Sequence, residues 1–278
     1  MNVGTIFELR NVSYSYTGKI NALKDINFKV NSGEQISIIG SNGSGKSTLL
    51  AILDGLIYPT AGEFYAFDNM VIEEVFDTIK DNKFRSYFRT RVGFVFQNSD
   101  VQLFSSTVFE EIAFGPLQLN MTPEDVKTRV MEVLEMMELT KLKDRAPHTL
   151  SGGEKKKVCI ATILATNPDI LLLDEPTAGL DPRTQLWLTE LLQELGNRGK
   201  TIIIATHDLE LVEQISKRAI VMSEDHRIVA DGNAEKVLDN LELLLSTNLI
   251  HEHMHFHGKL VHEHLHAHDK EHMHEHET

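Results

Sequence analysis

Gly40-Ser41-Asn42-Gly43-Ser44-Gly45-Lys46-Ser47 is the stretch that decides how this chain folds. It repeats the pattern glycine, four residues, glycine, lysine, then serine or threonine. Before it, Gln35–Ile39 is a short apolar run suited to a buried strand. After it, residues 46–56 carry apolar side chains at helical spacing and stop ahead of Pro59. A glycine loop between a strand and a helix wraps phosphates for a simple reason. Without Cβ atoms the main chain can approach closely and turn its N–H groups inward, and the helix start adds the positive end of its dipole. Lys46 is placed to reach the outer phosphates of a nucleotide and Ser47 to ligate Mg2+, with Thr48 following in the first helical turn.

Upstream of the loop, residues 6–39 suit short strands joined by the polar turns Thr17-Gly18-Lys19 and Asn31-Ser32-Gly33-Glu34. Residues 107–165 change to helical character: Pro123-Glu124-Asp125 is a helix start, and Val130, Val133, Leu134 and Met137 make one apolar face. Residues 170–173 and 202–205 are compact apolar runs separated by a helix-like segment over 183–195, the signature of a parallel sheet. Residues 219–222 and 227–230 read as closing strands and 234–245 as a last helix. The predicted class is α/β.

The strand over 170–173 runs into Asp174-Glu175. Parallel sheets expose ligand-binding groups at the carboxyl ends of their strands. With the phosphate loop upstream, Asp174 is expected to hold the metal and Glu175 to polarise the water that attacks the terminal phosphate.

Leu150-Ser151-Gly152-Gly153-Glu154, a short distance before the acidic pair, resembles the signature loop of ATP-binding-cassette (ABC) ATPases. The other elements of that family occur in order: Gln97 after Val92-Gly93-Phe94-Val95-Phe96, Ala178-Gly179-Leu180-Asp181-Pro182 after the acids, and Thr206-His207-Asp208 after a strand. The resemblance covers about residues 5–240. It implies a P-loop NTPase with a RecA-like parallel-sheet core, an antiparallel β subdomain and an inserted α-helical subdomain at about 107–165. The ATPase domain spans 1–245, leaving a flexible histidine-rich tail at 246–278. It further implies that Gln97 contacts Mg2+ and the attacking water, that His207 contacts the γ-phosphate, and that Tyr16, with Tyr14 as the competing candidate, stacks on adenine. Ser151, Gly152, Gly153 and Glu154 would serve ATP held by a second subunit, with Asp181 in the loop between subunits, so function implies a dimer of this chain or of this chain and a paralogue. The chain departs from the family at Glu154, where glutamine is commoner, at Lys155-Lys156-Lys157, where an arginine usually follows, and at Asp225-His226, where a glycine turn is usual.

The segment from Val92 to Phe104, with the triplet Gln102-Leu103-Phe104, followed by Phe114-Gly115-Pro116, is similar to energy-coupling-factor importers, particularly the cobalt/nickel type. That resemblance implies a membrane scaffold subunit whose coupling helix docks beside Gln97, on Val101, Leu103, Phe104 and Phe109, and a small substrate-capturing membrane subunit. The location implied is the cytoplasmic face of the membrane, with the chain bound peripherally. The same machine importing a vitamin, and a soluble cassette ATPase that never meets a membrane, are the other readings.

Histidines crowd the end of the chain: of the 14 present, His251, His253, His255, His257, His262, His264, His266, His268, His272, His274 and His276 fall in the tail. Alternating histidines lie on one side of an extended chain, and neutral imidazoles suit nickel, cobalt, zinc and copper, so the tail is a candidate transition-metal site.

Composition excludes several classes. Acidic residues outnumber Lys and Arg 41 to 27, a net charge of -14, so no basic field favours nucleic acid. The single cysteine, Cys159, rules out an intrachain disulfide and reads as a small buried packing residue. Residues 1–7 lack the basic start and apolar run of a signal peptide, and no apolar run approaches the ~20 residues of a spanning helix, so a cytoplasmic location with a membrane partner is expected.

Overall fold

The computed structural model describes residues 4–76, 83–257 and 260–267. The chain opens with β1 (Thr5–Tyr16) and β2 (Ile20–Asn31), an antiparallel pair joined at Thr17-Gly18-Lys19, then enters β3 (Gln35–Ile39) and α1 (Lys46–Leu53). β4 (Ala61–Ala66) and β5 (Asn69–Met70) complete an antiparallel sheet in the order β2-β1-β4-β5. Two helices for which the sequence patterns offer no reading follow, α2 (Glu73–Phe76) and α3 (Lys83–Arg91), leading into β6 (Val92–Val95).

The helical segment is α4 (Val108–Gln118), α5 (Pro123–Met136) and α6 (Gly152–Ala165). Thr107, Thr122 and Ser151 cap their N-termini, each side chain accepting a hydrogen bond from a first-turn N–H. β7 (Ile170–Asp174), α7 (Pro182–Asn197), β8 (Thr201–Thr206), α8 (Leu209–Ile215), β9 (Arg218–Met222) and β10 (Ile228–Asn233) finish the larger sheet, ordered β10-β9-β3-β8-β7-β6. All of its pairings are parallel except β9 with β10.

Alternation along these strands divides the core. Ile36, Ile38, Leu172 and Ile203 face α1 and the antiparallel sheet, while Leu171, Leu173, Ile202 and Ile204 face the helical segment. Both faces are covered, which is why the strands read as unbroken apolar runs. Under the antiparallel sheet, Phe88 from α3 contacts Phe7, Phe67, Phe76 and Phe84. Phe88 is fully buried. Phe88→Ala is expected to cost about 3–5 kcal/mol of stability, measured by urea unfolding, because a ring-sized cavity opens in a cluster with little slack.

The sequence expectations need two corrections at the carboxyl end. The last helix is two helices, α9 (Ala234–Leu238) and α10 (Leu241–Ser246), because the Asn240 side chain accepts from Leu243 N at 3.1 Å and starts a new helix there. The packed body also runs past residue 245. Leu249 and Ile250 are buried against Ile39 and Val221, which sets the edge of the tail five residues later than expected. Beyond it, β11 (Ile250–His257) and β12 (Leu260–Ala267) pair antiparallel, where composition alone points to a flexible tail.

Candidate functional site

Register gathers the site. Ile39 lies beside Thr206, Asp174 beside Ala205, and Val95 beside Leu173, so β3, β8, β7 and β6 all release their carboxyl ends on one edge of the sheet. The residues that follow, Gly40, Glu175, His207 and Gln97, are brought together there although they are far apart in sequence. A cleft of about 390 Å3 runs along this edge, walled by Tyr16, Asn42, Gly43, Ser47, Gln97 and Glu175 among others.

The loop itself is shaped around its main chain. Gly45 has φ 110°, and a Cβ there would collide with the carbonyl of Ala22. Lys46, 6% exposed, donates from Nζ to the carbonyls of Gly40 (2.7 Å) and Ser41 (3.2 Å) and lies 3.7 Å from Glu175 Oε1. Burial lowers its pKa, with the carboxylates of Glu175 and Asp174 acting the other way. The Ser41 and Ser44 hydroxyls are buried and have no hydrogen-bond partner among the described residues. A buried hydroxyl left unpaired costs about 1–3 kcal/mol, and a phosphate oxygen is the partner this setting suits. The donor set therefore fits a nucleotide triphosphate.

Ser47 Oγ donates to Asp174 Oδ1 at 3.0 Å. A hydroxyl beside a carboxylate, with the exposed Gln97 amide lining the same cleft, is a hard-oxygen set that fits Mg2+. Burial raises the pKa of Asp174, opposed by the Ser47 hydrogen bond. Its neighbour behaves differently. Burial also pushes Glu175 upward, but His207, whose Nδ1 lies 2.9 Å from Oε1, together with Lys46 and the Thr206 hydroxyl at 3.1 Å from Oε2, holds it below the usual carboxylate range. The outcome is a buried carboxylate held toward its ionised form, which can accept a proton from water, beside a second carboxylate, Asp174, that meets the Ser47 hydroxyl.

Tyr16 and Tyr14 separate cleanly. Tyr16 Oη lies 3.1 Å from Thr48 Oγ1 and its ring is half exposed in the cleft wall, whereas Tyr14 packs on the core and meets Tyr16 edge-on at 4.9 Å. The turn that departs from glycine is occupied by His226 in the left-handed region (φ 64°), with Nδ1 3.3 Å from Ser44 O. It lines the cleft too, a role that sequence reasoning missed because nothing local to Asp225-His226 reports the neighbouring loop.

Ser151, Gly152, Gly153 and Glu154 are absent from the walls of this cleft. Ser151 caps α6 in a reciprocal box: its Oγ accepts from Glu154 N at 3.3 Å while Glu154 Oε2 accepts from Ser151 N at 2.8 Å. That accounts for glutamate at 154, since an ionised acceptor strengthens the cap, and the Ser151 N–H lowers its pKa. A Cβ on Gly153 would sit 3.1 Å from Thr184 Oγ1 and 3.7 Å from Asp181 Oδ2, so the signature loop and the Asp181 turn form one surface. Asp181 caps α7 through Thr184 N at 3.1 Å.

The four apolar residues expected to form a docking surface divide. Val101 and Phe104 are 70% and 68% exposed, and Phe104 meets the half-exposed Phe114 edge-on at 5.0 Å. Leu103 and Phe109 are partly buried and pack against the core of the helical segment. Cys159 is fully buried, and burial pushes its thiol up to about 11. In the tail, the main-chain register sets His251 opposite His266, His253 opposite His264 and His255 opposite His262, with His257 opposite Leu260. His268, His272, His274 and His276 lie outside the described residues.

Comparison with known proteins agrees with this geometry. A family model described as ABC transporter matches residues 23–178. An 85% identical relative from Methanosarcina acetivorans, aligned over 99% of this chain and 100% of its own, bears a name that goes no further than ABC transporter ATP-binding protein. The alignment leaves out too few residues to exclude the tail. A 43% identical relative from Methanothermobacter thermautotrophicus, covering 88% of this chain and 76% of its own, is named energy-coupling factor transporter ATP-binding protein. Another, 44% identical, from Rhodobacter capsulatus, covering 88% and 95%, is named nickel import ATP-binding protein. The solved structure of cbiO1 from Clostridium perfringens, described as part of the ABC transporter complex cbiONQ, matches with a TM-score of 0.73 at 35% identity over 88% of this chain and 95% of its own.

Proposed function

This chain belongs to the ABC transporter family as an ATP-hydrolysing subunit, and we propose that it energises import of nickel or cobalt through an energy-coupling-factor transporter. The observation that carries the metal assignment is the tail: histidines at alternate positions on both strands of a ribbon whose register sets them opposite one another. The name of the Rhodobacter capsulatus relative points the same way. Uptake of labelled Ni2+ and Co2+, against labelled vitamin, in cells with the gene deleted tests it. Loss of metal uptake is the expected result, and loss of vitamin uptake alone overturns the assignment.

In the proposed cycle Lys46 and the loop N–H groups bind the β- and γ-phosphates, and Tyr16 stacks on the base. Ser47, Asp174 and Gln97 would hold Mg2+, which when bound would supply positive charge at the phosphate oxygens. Glu175 takes the proton of the attacking water, and His207 orients that carboxylate and touches the γ-phosphate. Ser151 and Gly153 close on the γ-phosphate held by a second subunit, alongside Asp181, so two nucleotides join two ATPase subunits and hydrolysis releases them. Among the described residues no helix is long and apolar enough to cross a membrane. Val101, Phe104 and Phe114 are the exposed apolar surface for a scaffold subunit's helix at the cytoplasmic face, which makes the chain a peripheral membrane component. Co-purification of polytopic subunits with the tagged chain is expected, and its absence favours a soluble ATPase.

The tail reading has its own test. On a two-stranded ribbon, alternate residues share a face and register partners share it too. Exchanging neighbours along β12 (Val261→His with His262→Val, Glu263→His with His264→Glu, Leu265→His with His266→Leu) keeps composition but shifts each histidine one position out of register with its partner in β11. Titration calorimetry with Ni2+ should show weaker binding for this permuted chain. Equal binding would mean that composition alone captures the ion.

A further inference from the structure

Three consecutive lysines follow the signature loop and go to three different places. Lys155 Nζ lies 2.6 Å from Asp100 Oδ1, and Lys157 Nζ lies 4.3 Å from the centre of the Trp187 ring and 3.5 Å from the Glu138 carboxylate. Lys156 turns inward. It is 2% exposed and donates to two consecutive main-chain carbonyls, those of Phe96 at 3.1 Å and Gln97 at 3.0 Å. Burial lowers its pKa, while Cys159 and Asp174 act in the opposite sense. Lysine is rarely buried, because removing an ammonium from water is unfavourable unless its protons find acceptors. Helix formation at this point of α6 requires no charge, so the acceptors are what the lysine is for.

Neighbouring bonds reinforce the same junction. The Gln102 side chain accepts from Phe96 N at 3.1 Å and donates to Cys159 O at 3.3 Å, and Cys159 Sγ lies 3.8 Å from Ser99 O. Residues 96–102 are thus fastened along α6, the helix whose first turn is the signature loop. Gln97 itself is exposed and reaches the cleft from this segment, so the path of its main chain decides where its amide points.

We propose that Lys156 is a positioning residue for Gln97. It locks the Gln97 segment to the signature helix, so that the two sides of the nucleotide site, one facing the chain's own ATP and one facing a partner's, move as a single body. Lys156→Met removes the donors at nearly constant volume and leaves Lys46, Ser47 and Glu175 untouched. For Mg-ATP hydrolysis by the purified full chain, kcat should fall about tenfold with KM for ATP within about twofold, since the interaction lost is one made through Gln97 in the transition state. Lys156→Gln, which retains an N–H donor for the carbonyls, should recover most of the rate. The decisive measurement is a cycle with Gln97→Ala. If Lys156 acts through Gln97, the double variant is no slower than Gln97→Ala alone. Losses that multiply, or a Lys156→Met rate equal to the parent's, overturn the proposal. Thermal unfolding establishes that the variants fold, and if Lys156→Met does not, the same cycle is run with Lys156→Gln and judged by the same non-additivity.

Discussion

Glu175→Gln should lower steady-state ATP hydrolysis by about 10²–10⁴-fold while ATP still binds. The expectation follows from how the carboxylate is held. Burial alone would protonate Glu175 more readily, but His207 at 2.9 Å, Lys46 at 3.7 Å and the Thr206 hydroxyl keep it ionised. Glutamine preserves shape and one acceptor but cannot take a proton from water. With phosphate cleavage blocked and the loop intact, ATP should persist between two subunits, and light scattering of the ATP-saturated variant should report a dimer. A monomer under those conditions would remove the case for a nucleotide shared across subunits. The sign of the pH effect is also set. His207, Lys46 and Thr206 together outweigh burial and hold Glu175 below the usual carboxylate range, so an acid limb of the rate profile near neutral pH is expected to come from another group.

Lys46→Ala should abolish both tight ATP binding and turnover, with a loss of about 10²–10³-fold or more in kcat/KM. Two effects combine. The phosphates lose the buried cation that the loop presents, and Asp174 and Glu175, both buried at adjacent positions, lose the positive charge that favours their ionised forms. Binding by titration calorimetry and hydrolysis by phosphate release separate the two. Turnover that survives the substitution would end the reading of this cleft as the ATP site.

Some of this was legible without coordinates. The glycine loop, the acidic pair at a strand end, the signature loop and the residue after each strand are local patterns, carried by a few adjacent side chains whose backbone demands leave a mark in the sequence. The class of the sheet was legible for a related reason: a strand covered on both faces must be apolar throughout, as 170–173 and 202–205 are. The helix over 234–245 was misread because an apolar period does not register that Asn240 caps a new start. The partial packing of Leu103 and Phe109 on the helical segment's core was not legible, because an apolar residue reads alike whether it meets a partner or its own core.

Short stretches of sequence carry the available groups: a glycine-rich loop with its lysine and serine, two adjacent acids at a strand end, and a histidine-rich end. Which of these groups meet is set by strand pairing and packing across the whole chain. The pairing of β3, β8, β7 and β6 set Lys46, Asp174, Glu175, His207 and Gln97 on one edge, chose Tyr16 over Tyr14 for the cleft, brought His226 against the loop, and turned Lys156 rather than its two neighbours onto the Gln97 main chain. The physical reason is distance along the chain. Contacts between residues tens of positions apart depend on register and packing, which no short window of sequence contains.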